Sequence, residues 1–132
     1  MEKWRRVWRV GIAPQLSRHA LRALGSALLR DDPRLVQGTI TAPPPLDANR
    51  GCDVEEACAI GLCGWLGEGR TRVGAVEDYF TAVAEAADAA FGESAACRHF
   101  FNWFDDAARP IMRRELLAEV TRALRERTPA AA

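Results

Sequence analysis

The sequence lacks any long apolar run, so it offers no candidate for a membrane-spanning helix. No stretch approaches the ~20 consecutive apolar residues that such a helix needs. The basic beginning, MEKWRRVWRV, is not followed by an apolar stretch of about 7–15 residues and a small-residue cleavage site, as a secretory signal would be. We therefore expect a cytoplasmic protein whose four cysteines are reduced thiols.

The short motifs of several common chemistries are also missing. No Cys-x-x-Cys pair occurs, so a paired-ligand zinc site and thioredoxin-like redox chemistry both lack their motif. The glycine-containing stretches do not match a phosphate-binding loop with its lysine and hydroxyl. His19 and His99 are the only histidines. With no convergent catalytic set, the sequence favours a non-enzymatic protein without a cofactor.

A net charge of zero disfavours a strongly basic nucleic-acid binder, but the charge is unevenly distributed. Residues 1–30 carry seven basic groups and one acidic group, and residues 31–106 carry five and fourteen. Residues 107–132 carry six basic and three acidic groups. This pattern predicts internal charge complementarity, or a partner that meets one pole of the molecule.

Apolar residues at helical spacing predict a mainly α fold, a compact bundle of five to six helices. Stripes indicate one helix from about Pro14, one over 73–91, and a last one from Pro110. Asp53, with Glu56 three residues later, predicts an N-cap that opens a further helix. A short aromatic helix is expected in AACRHFFNWF, residues 95–104.

We expect a single helical domain over residues 1–132, because 132 residues can bury one core. Its first part, 1–12, is a basic, Trp-rich segment, and 128–132 is expected to be a frayed tail. Residues 31–52 form a long, irregular, Pro-rich loop. Within it, β-forming residues at 35–41 could form a short strand.

The stretch CDVEEACAIGLCGW, residues 52–65, concentrates three of the cysteines. We interpret Cys58 and Cys97 as small apolar residues of the core, since each shares a helical face with apolar neighbours. The alternative is a small metal-binding protein or an enzyme. Its candidate groups are either Cys52, Cys63, Cys97 and His99, or the acidic pair Asp105 and Asp106. The competing interpretation of the acidic pair is structural: Asp105 or Asp106 caps the last helix.

Two segments have the composition of protein-binding surfaces. Tryptophan and arginine are enriched at interaction hot spots, and proline-rich runs are extended and accessible. The predicted partner-binding residues are Trp4, Arg5, Trp8, Arg9, Pro43, Pro44 and Pro45. The competing interpretation is that the two tryptophans dock on their own bundle while the arginines meet the acidic middle of the chain.

The leading functional prediction is a protein-binding accessory or adaptor subunit, whose partner is another protein or a second copy of the chain. A second alternative, after the metal-binding one, is a nucleic-acid accessory protein that uses the basic N-terminus. Its affinity would fall steeply with salt concentration.

Three short elements resemble a known pattern: QG at 37–38, ACAIGL at 57–62 and NWFDD at 102–106, ahead of a final helix. In this order they are similar to small bacterial and phage proteins grouped as a domain of unknown function. The similarity extends over about residues 20–125. It implies a compact helical fold and a bacterial or phage origin, and it implies no catalytic residues.

Overall fold

Six α-helices and one very small sheet make up the protein in a computed structural model that describes residues 1–127. The predicted mainly α bundle is therefore confirmed. The predicted frayed tail, 128–132, lies outside the described residues. No helix in the described part of the chain is both long enough and apolar enough to cross a membrane.

The helices differ greatly in length, and two of the short ones continue into π-helical turns. Their bounds are α1 Lys3–Arg6, α2 Arg18–Arg30, α3 Ala59–Leu62, α4 Val73–Phe91, α5 Cys97–Asp106 and α6 Arg109–Arg127. The π-helical extensions are Val7–Ile12 after α1 and Cys63–Gly67 after α3. The predictions for 73–91 and for a last helix near Pro110 are confirmed, because both patterns run over many turns.

The predicted start of the second helix at Pro14 is wrong. Pro14 lies in a 3₁₀ turn, Ala13–Gln15, and the helix begins after Ser17. The Ser17 hydroxyl accepts a hydrogen bond from the Ala20 N–H at 3.0 Å, so it satisfies one of the free amides of the first turn. A capping hydroxyl three residues beyond the proline therefore decides where this helix begins.

The predicted helix opening at Asp53 is also wrong, because residues 53–58 are extended. In a two-stranded antiparallel sheet, β1, Thr41–Ala42, pairs with β2, Glu56–Ala57. The Val54 N–H is donated to the Thr71 carbonyl, which also keeps this backbone out of a helix. The strand predicted at 35–41 is displaced to β1, although Leu35 forms an isolated bridge with Ala57.

One apolar core connects all the helices. The N-terminal segment, residues 3–15, packs against α4 and α5, and α2 packs against α6 and the α3 extension. The loop between α2 and β1 crosses the end of α5. That crossing brings distant parts of the chain together around the site described next.

Candidate functional site

A partly open cavity of about 250 Å³ lies between α5, α4, the start of α3 and the loop before β1. We call it the α5 cavity. Its walls are the rings of Phe80, Phe100, Phe101 and Phe104. Residues 38–40, residues 58–60 and Asp105 complete the lining. The three elements QG, ACAIGL and NWFDD, far apart in the chain, therefore meet at one site.

Gln37 fixes the loop to the end of α5. Its Nε2 donates hydrogen bonds to the carbonyls of Phe104 at 2.7 Å and Ala107 at 2.8 Å. Carbonyls at a helix C-terminus have no partner within the helix, so the glutamine amide caps them. Gly38 follows with φ of +92°, a left-handed conformation that glycine adopts at little cost. The turn at Gly38 leads the chain along the rim of the cavity.

Asp105 also binds the turn at Gly38. Its Oδ1 accepts a hydrogen bond from the Gly38 N–H at 2.8 Å, and the side chain remains exposed. Of the described residues that line the cavity, Asp105 is the one with a charged side chain. The sequence-based interpretation made Asp105 or Asp106 a cap for the last helix, and Asp105 binds the loop instead.

Cys58 is buried, as the sequence predicts, but it also begins a helix. Its Sγ accepts a hydrogen bond from the Gly61 N–H at 3.4 Å and so caps α3. A Cβ at Gly61 would lie 2.9 Å from the Ile40 carbonyl oxygen, so only glycine allows the loop to approach α3 here. Burial raises the pKa of the Cys58 thiol to about 11, and at neutral pH it is protonated and a poor nucleophile.

The aromatic walls are positioned by ring contacts. Phe80 of α4 stacks on Phe101 with centroids 4.9 Å apart, and Phe100 stacks on Phe104 at 6.0 Å. Phe100 is also in edge contact with Phe101, at 5.9 Å. Because each ring is held by another, the cavity walls are formed before anything binds.

The predicted partner-binding tryptophans lie in the core. Trp4 is 4% exposed and Trp8 is fully buried. Trp4 stacks on Trp103 with centroids 3.6 Å apart, and Trp8 stacks on Phe100 at 5.5 Å. In this arrangement neither ring is part of the surface, so a partner-binding role for them stays a prediction that requires the segment to leave the core.

Arg5 and Arg9, each of which directly follows one of these tryptophans in the sequence, form ion pairs within the chain. Arg5 Nη1 lies 2.8 Å from Glu119, and Arg9 Nε lies 2.7 Å from the same carboxylate. Arg5 also pairs with Glu115 at 3.1 Å. The carboxylates nearest to Arg5 and Arg9 thus belong to α6, whereas the neighbouring Lys3 pairs with Glu93 of the acidic middle. The prediction of a nucleic-acid accessory protein stays untested. Arg5 and Arg9, two of the cations at the basic N-terminus, already form ion pairs within the chain.

The carboxylate of Glu119 is almost completely buried, with a side chain 3% exposed. Burial by itself raises the pKa of Glu119, but the hydrogen bonds from Arg9 and Arg5 together outweigh it, and the net result is a pKa below the ordinary value. Glu119 is therefore charged at neutral pH and holds the N-terminal segment onto α6.

The Pro-rich turn is the predicted binding segment that does lie at the surface. Pro44 is exposed, Pro43 and Pro45 are partly exposed, and the following Leu46 is 61% exposed. The Pro44 carbonyl accepts a hydrogen bond from Asn49 Nδ2 at 2.8 Å, which closes the turn. Its partner-binding role stays a prediction.

The candidate metal ligands are dispersed. Cys52 is exposed, and the buried Cys63 donates to the Ala20 carbonyl at 3.5 Å. Cys97 donates to the Ala84 carbonyl, and His99 Nε2 lies 3.4 Å from Glu93. Within residues 1–127, no three His, Cys, Asp or Glu side chains form a group that could hold a metal ion. Asp105 lines the cavity, whereas Asp106 is simply exposed.

Comparisons with known proteins return no family model, no curated protein and no solved structure that matches the chain. The resemblance to a domain of unknown function therefore stays a prediction. Sequence reasoning singled out the elements that form the cavity but did not predict that they meet. Nothing in the sequence indicated that Gln37 caps the end of α5, or that Thr39 and Phe80 line the same cavity.

Proposed function

We propose that the protein is a non-enzymatic binding protein whose α5 cavity receives a small apolar ligand. The observation that carries this proposal is the enclosure of about 250 Å³ by four phenylalanine rings. Sites for small molecules are typically concave, mostly apolar and formed in advance, with a few polar groups that orient the ligand. The volume is just below the usual range for drug-sized ligands, so a compact ligand fits best.

The groups around the cavity favour binding over catalysis. The Cys58 thiol is protonated, since burial raises its pKa to about 11, and its Sγ is engaged by Gly61. His99 pairs with Glu93 and is not among the described residues that line the cavity. A nucleophile needs an adjacent base, and the one carboxylate in the lining, Asp105, already accepts the Gly38 N–H.

Ligand-observed NMR with indole and 2-phenylethanol tests this proposal. We expect both probes to show saturable contact with the wild-type protein. Ile40→Trp places an indole at the cavity lining and should abolish that contact, whereas Leu46→Trp, at an exposed leucine outside the lining, should not. Equal binding by wild type and Ile40→Trp, or no binding by either, would contradict the proposal.

A second candidate is the accessory or adaptor role in a bacterial or phage system, and a different surface favours it. A groove of about 200 Å³ between α2 and α6 is lined by leucine, proline and arginine. Leu29 is 69% exposed there, and the neighbouring Arg114 side chain is 72% exposed. An exposed leucine beside an exposed arginine, whose printed ion pair is a 3.5 Å contact with Glu115, fits a protein that presents an apolar side chain next to an acidic one.

Two matched leucines distinguish the surfaces that such a partner would use. Native mass spectrometry of the protein from its own host identifies a co-purifying chain, which is then purified and rebound to variants. Leu29→Asp should weaken rebinding at least tenfold, by opposing an acidic partner, if the α2–α6 groove is the interface. Leu46→Asp tests the Pro-rich turn in the same way. If neither variant changes the affinity, both surfaces are excluded.

A further inference from the structure

We propose that the ligand of the α5 cavity is a small hydrophobic primary amine, bound as its ammonium ion with the cation at Asp105. This inference rests on the proposed function, since it names the chemical class that the same cavity selects. Three properties of the lining carry it: the sign of its charge, the kind of polar atoms at its rim, and the aromatic character of its walls.

The sign of the charge excludes anions. Asp105 is the one charged group among the described residues lining the cavity, and Asp106 follows it directly. An anionic ligand would meet like charge without a basic side chain in the lining to offset it. A cationic ligand gains a charge-assisted hydrogen bond, which is shorter and stronger than one between neutral groups.

The polar side chains at the rim, Asp105 and Thr39, offer acceptors. Asp105 Oδ1 receives the Gly38 N–H, but a carboxylate can accept about four hydrogen bonds in all. The Thr39 hydroxyl donates its proton to the Thr41 carbonyl at 2.9 Å, so its oxygen can act toward a ligand only as an acceptor. Two acceptors on one rim suit a group with several N–H donors. A primary ammonium has three, whereas a quaternary ammonium has none.

The walls suit both ends of such a ligand. Phenylalanine faces attract cations and also bury apolar groups, so an ammonium at the rim and an apolar body inside are both favoured. A volume of about 250 Å³ accommodates roughly ten non-hydrogen atoms. A single ring with a short aminoalkyl chain satisfies this limit, and larger polyamines or nucleosides exceed it or leave polar groups buried without partners.

Calorimetric titration with three matched probes tests the inference: 2-phenylethylamine, 2-phenylethanol and 3-phenylpropionate. We expect the amine to bind about tenfold more tightly than the alcohol, and the carboxylate to bind most weakly. Asp105→Asn keeps an acceptor for the Gly38 N–H but removes the charge, so it should reduce the amine to the affinity of the alcohol. Asp106→Asn removes a neighbouring charge outside the lining and should leave the amine preference intact.

The outcomes separate this inference from the proposed function. If the alcohol binds as tightly as the amine and Asp105→Asn changes nothing, the cavity binds apolar ligands without selecting amines, and this inference is overturned alone. If Asp106→Asn removes the preference as fully as Asp105→Asn, general surface charge is responsible and the inference is again overturned. If none of the three probes binds, both the inference and the proposed function fall. Thermal unfolding of each variant verifies that it is folded.

Discussion

The two sides of α5 carry similar aromatic surfaces, but one is buried in the core and the other borders a cavity. On one side, Phe100 and Trp103 are covered by Trp8 and Trp4 of the N-terminal segment. On the other side, Phe101 stacks on Phe80, and a loop fixed by Gln37 borders a cavity. The first side is core, and the second is a candidate binding site.

Charge pairing accounts for the difference. The covering segment carries arginines that reach Glu119 and Glu115 on α6, so its polar groups are satisfied when its rings are buried. The loop before β1 uses its polar atoms to bind the end of α5, and Gly38 and Thr39 bring only small side chains to the cavity. The aromatic surface of α5 is therefore covered on the side where the neighbouring segment supplies both large side chains and ion-pair partners.

Among these variants, Trp8→Ala should cause one of the largest losses of stability on the side of α5 that the N-terminal segment covers. The ring is fully buried against Phe100, so its removal is expected to lower the free energy of unfolding by about 3–5 kcal/mol. Urea-induced unfolding followed by circular dichroism measures this loss. Trp65→Ala, at a partly exposed ring, is the control and should cost less than half as much. Equal costs would mean that the N-terminal segment does not pack against α5 in solution.

Glu119→Gln tests whether charge holds that side closed. The amide preserves the size of the side chain but leaves Arg5 and Arg9, whose side chains are 17% and 27% exposed, without their shared carboxylate. We expect a loss of about 2 kcal/mol in the free energy of unfolding. Glu126→Gln removes an exposed i,i+4 pair with Arg122 and should give no measurable change. An unchanged stability for Glu119→Gln would overturn the charge argument.

Phe101→Ala sharpens the comparison within one helix. Its ring is partly exposed at the cavity, so its loss should cost about 1–2 kcal/mol. Phe100→Ala, one residue earlier and fully buried, should cost about 3–5 kcal/mol. Chemical denaturation of both variants measures the difference. Phe101→Ala should also lower the ligand affinity, since this ring lines the cavity. Should both variants lose equal stability, the cavity side is packed as tightly as the closed side.

Asp32→Asn should give the smallest change, by loosening the loop that borders the cavity. Hydrogen bonds from the Arg34 side chain lower the pKa of Asp32 to about 2. A lowered pKa means that the charged form stabilises the fold above the ordinary pKa, and that this stabilisation disappears as pH falls from about 4 to about 2. The variant should lose about 1 kcal/mol at pH 7, because Arg34 is 45% exposed and solvent weakens the pair.

The pH dependence separates this effect from a packing defect. Unfolding curves of wild type and Asp32→Asn should converge as the pH is lowered through the folded-state pKa of about 2, since Asp32 becomes neutral in both states below it. A difference that persists at the lowest pH would show that the ion pair does not produce it.

Much of the helical fold could be predicted from local patterns, and the errors fall where local signals compete. The helix at 73–91 repeats its apolar stripe over five turns, so no single residue decides it. At Asp53 a capping signal was outweighed by backbone hydrogen bonds from Val54 to Thr71 and from Glu55 to Ala42. Those partners are distant in sequence, and capping statistics carry no information about them.

The candidate site was predictable only in pieces. QG, ACAIGL and NWFDD stand out as short elements, and the structure gives each a physical reason: a helix cap and a left-handed turn, a thiol cap with a close approach at Gly61, and an aromatic wall with Asp105. Their meeting at one cavity depends on loop closure between residues 67 positions apart, such as Gly38 and Asp105.

The mainly α class, the two long helices and the burial of Cys97 follow from apolar residues repeated within a few positions of one another, so they can be predicted from the sequence. Cys58 is buried as expected, but it precedes α3 as its N-cap and does not lie on the predicted helical face. Tertiary contacts place the tryptophans of the N-terminus inside and leave the phenylalanines of α5 at a cavity. The reason is that both outcomes depend on which charges meet across the fold, as Arg5 and Glu119 do over 114 residues of chain.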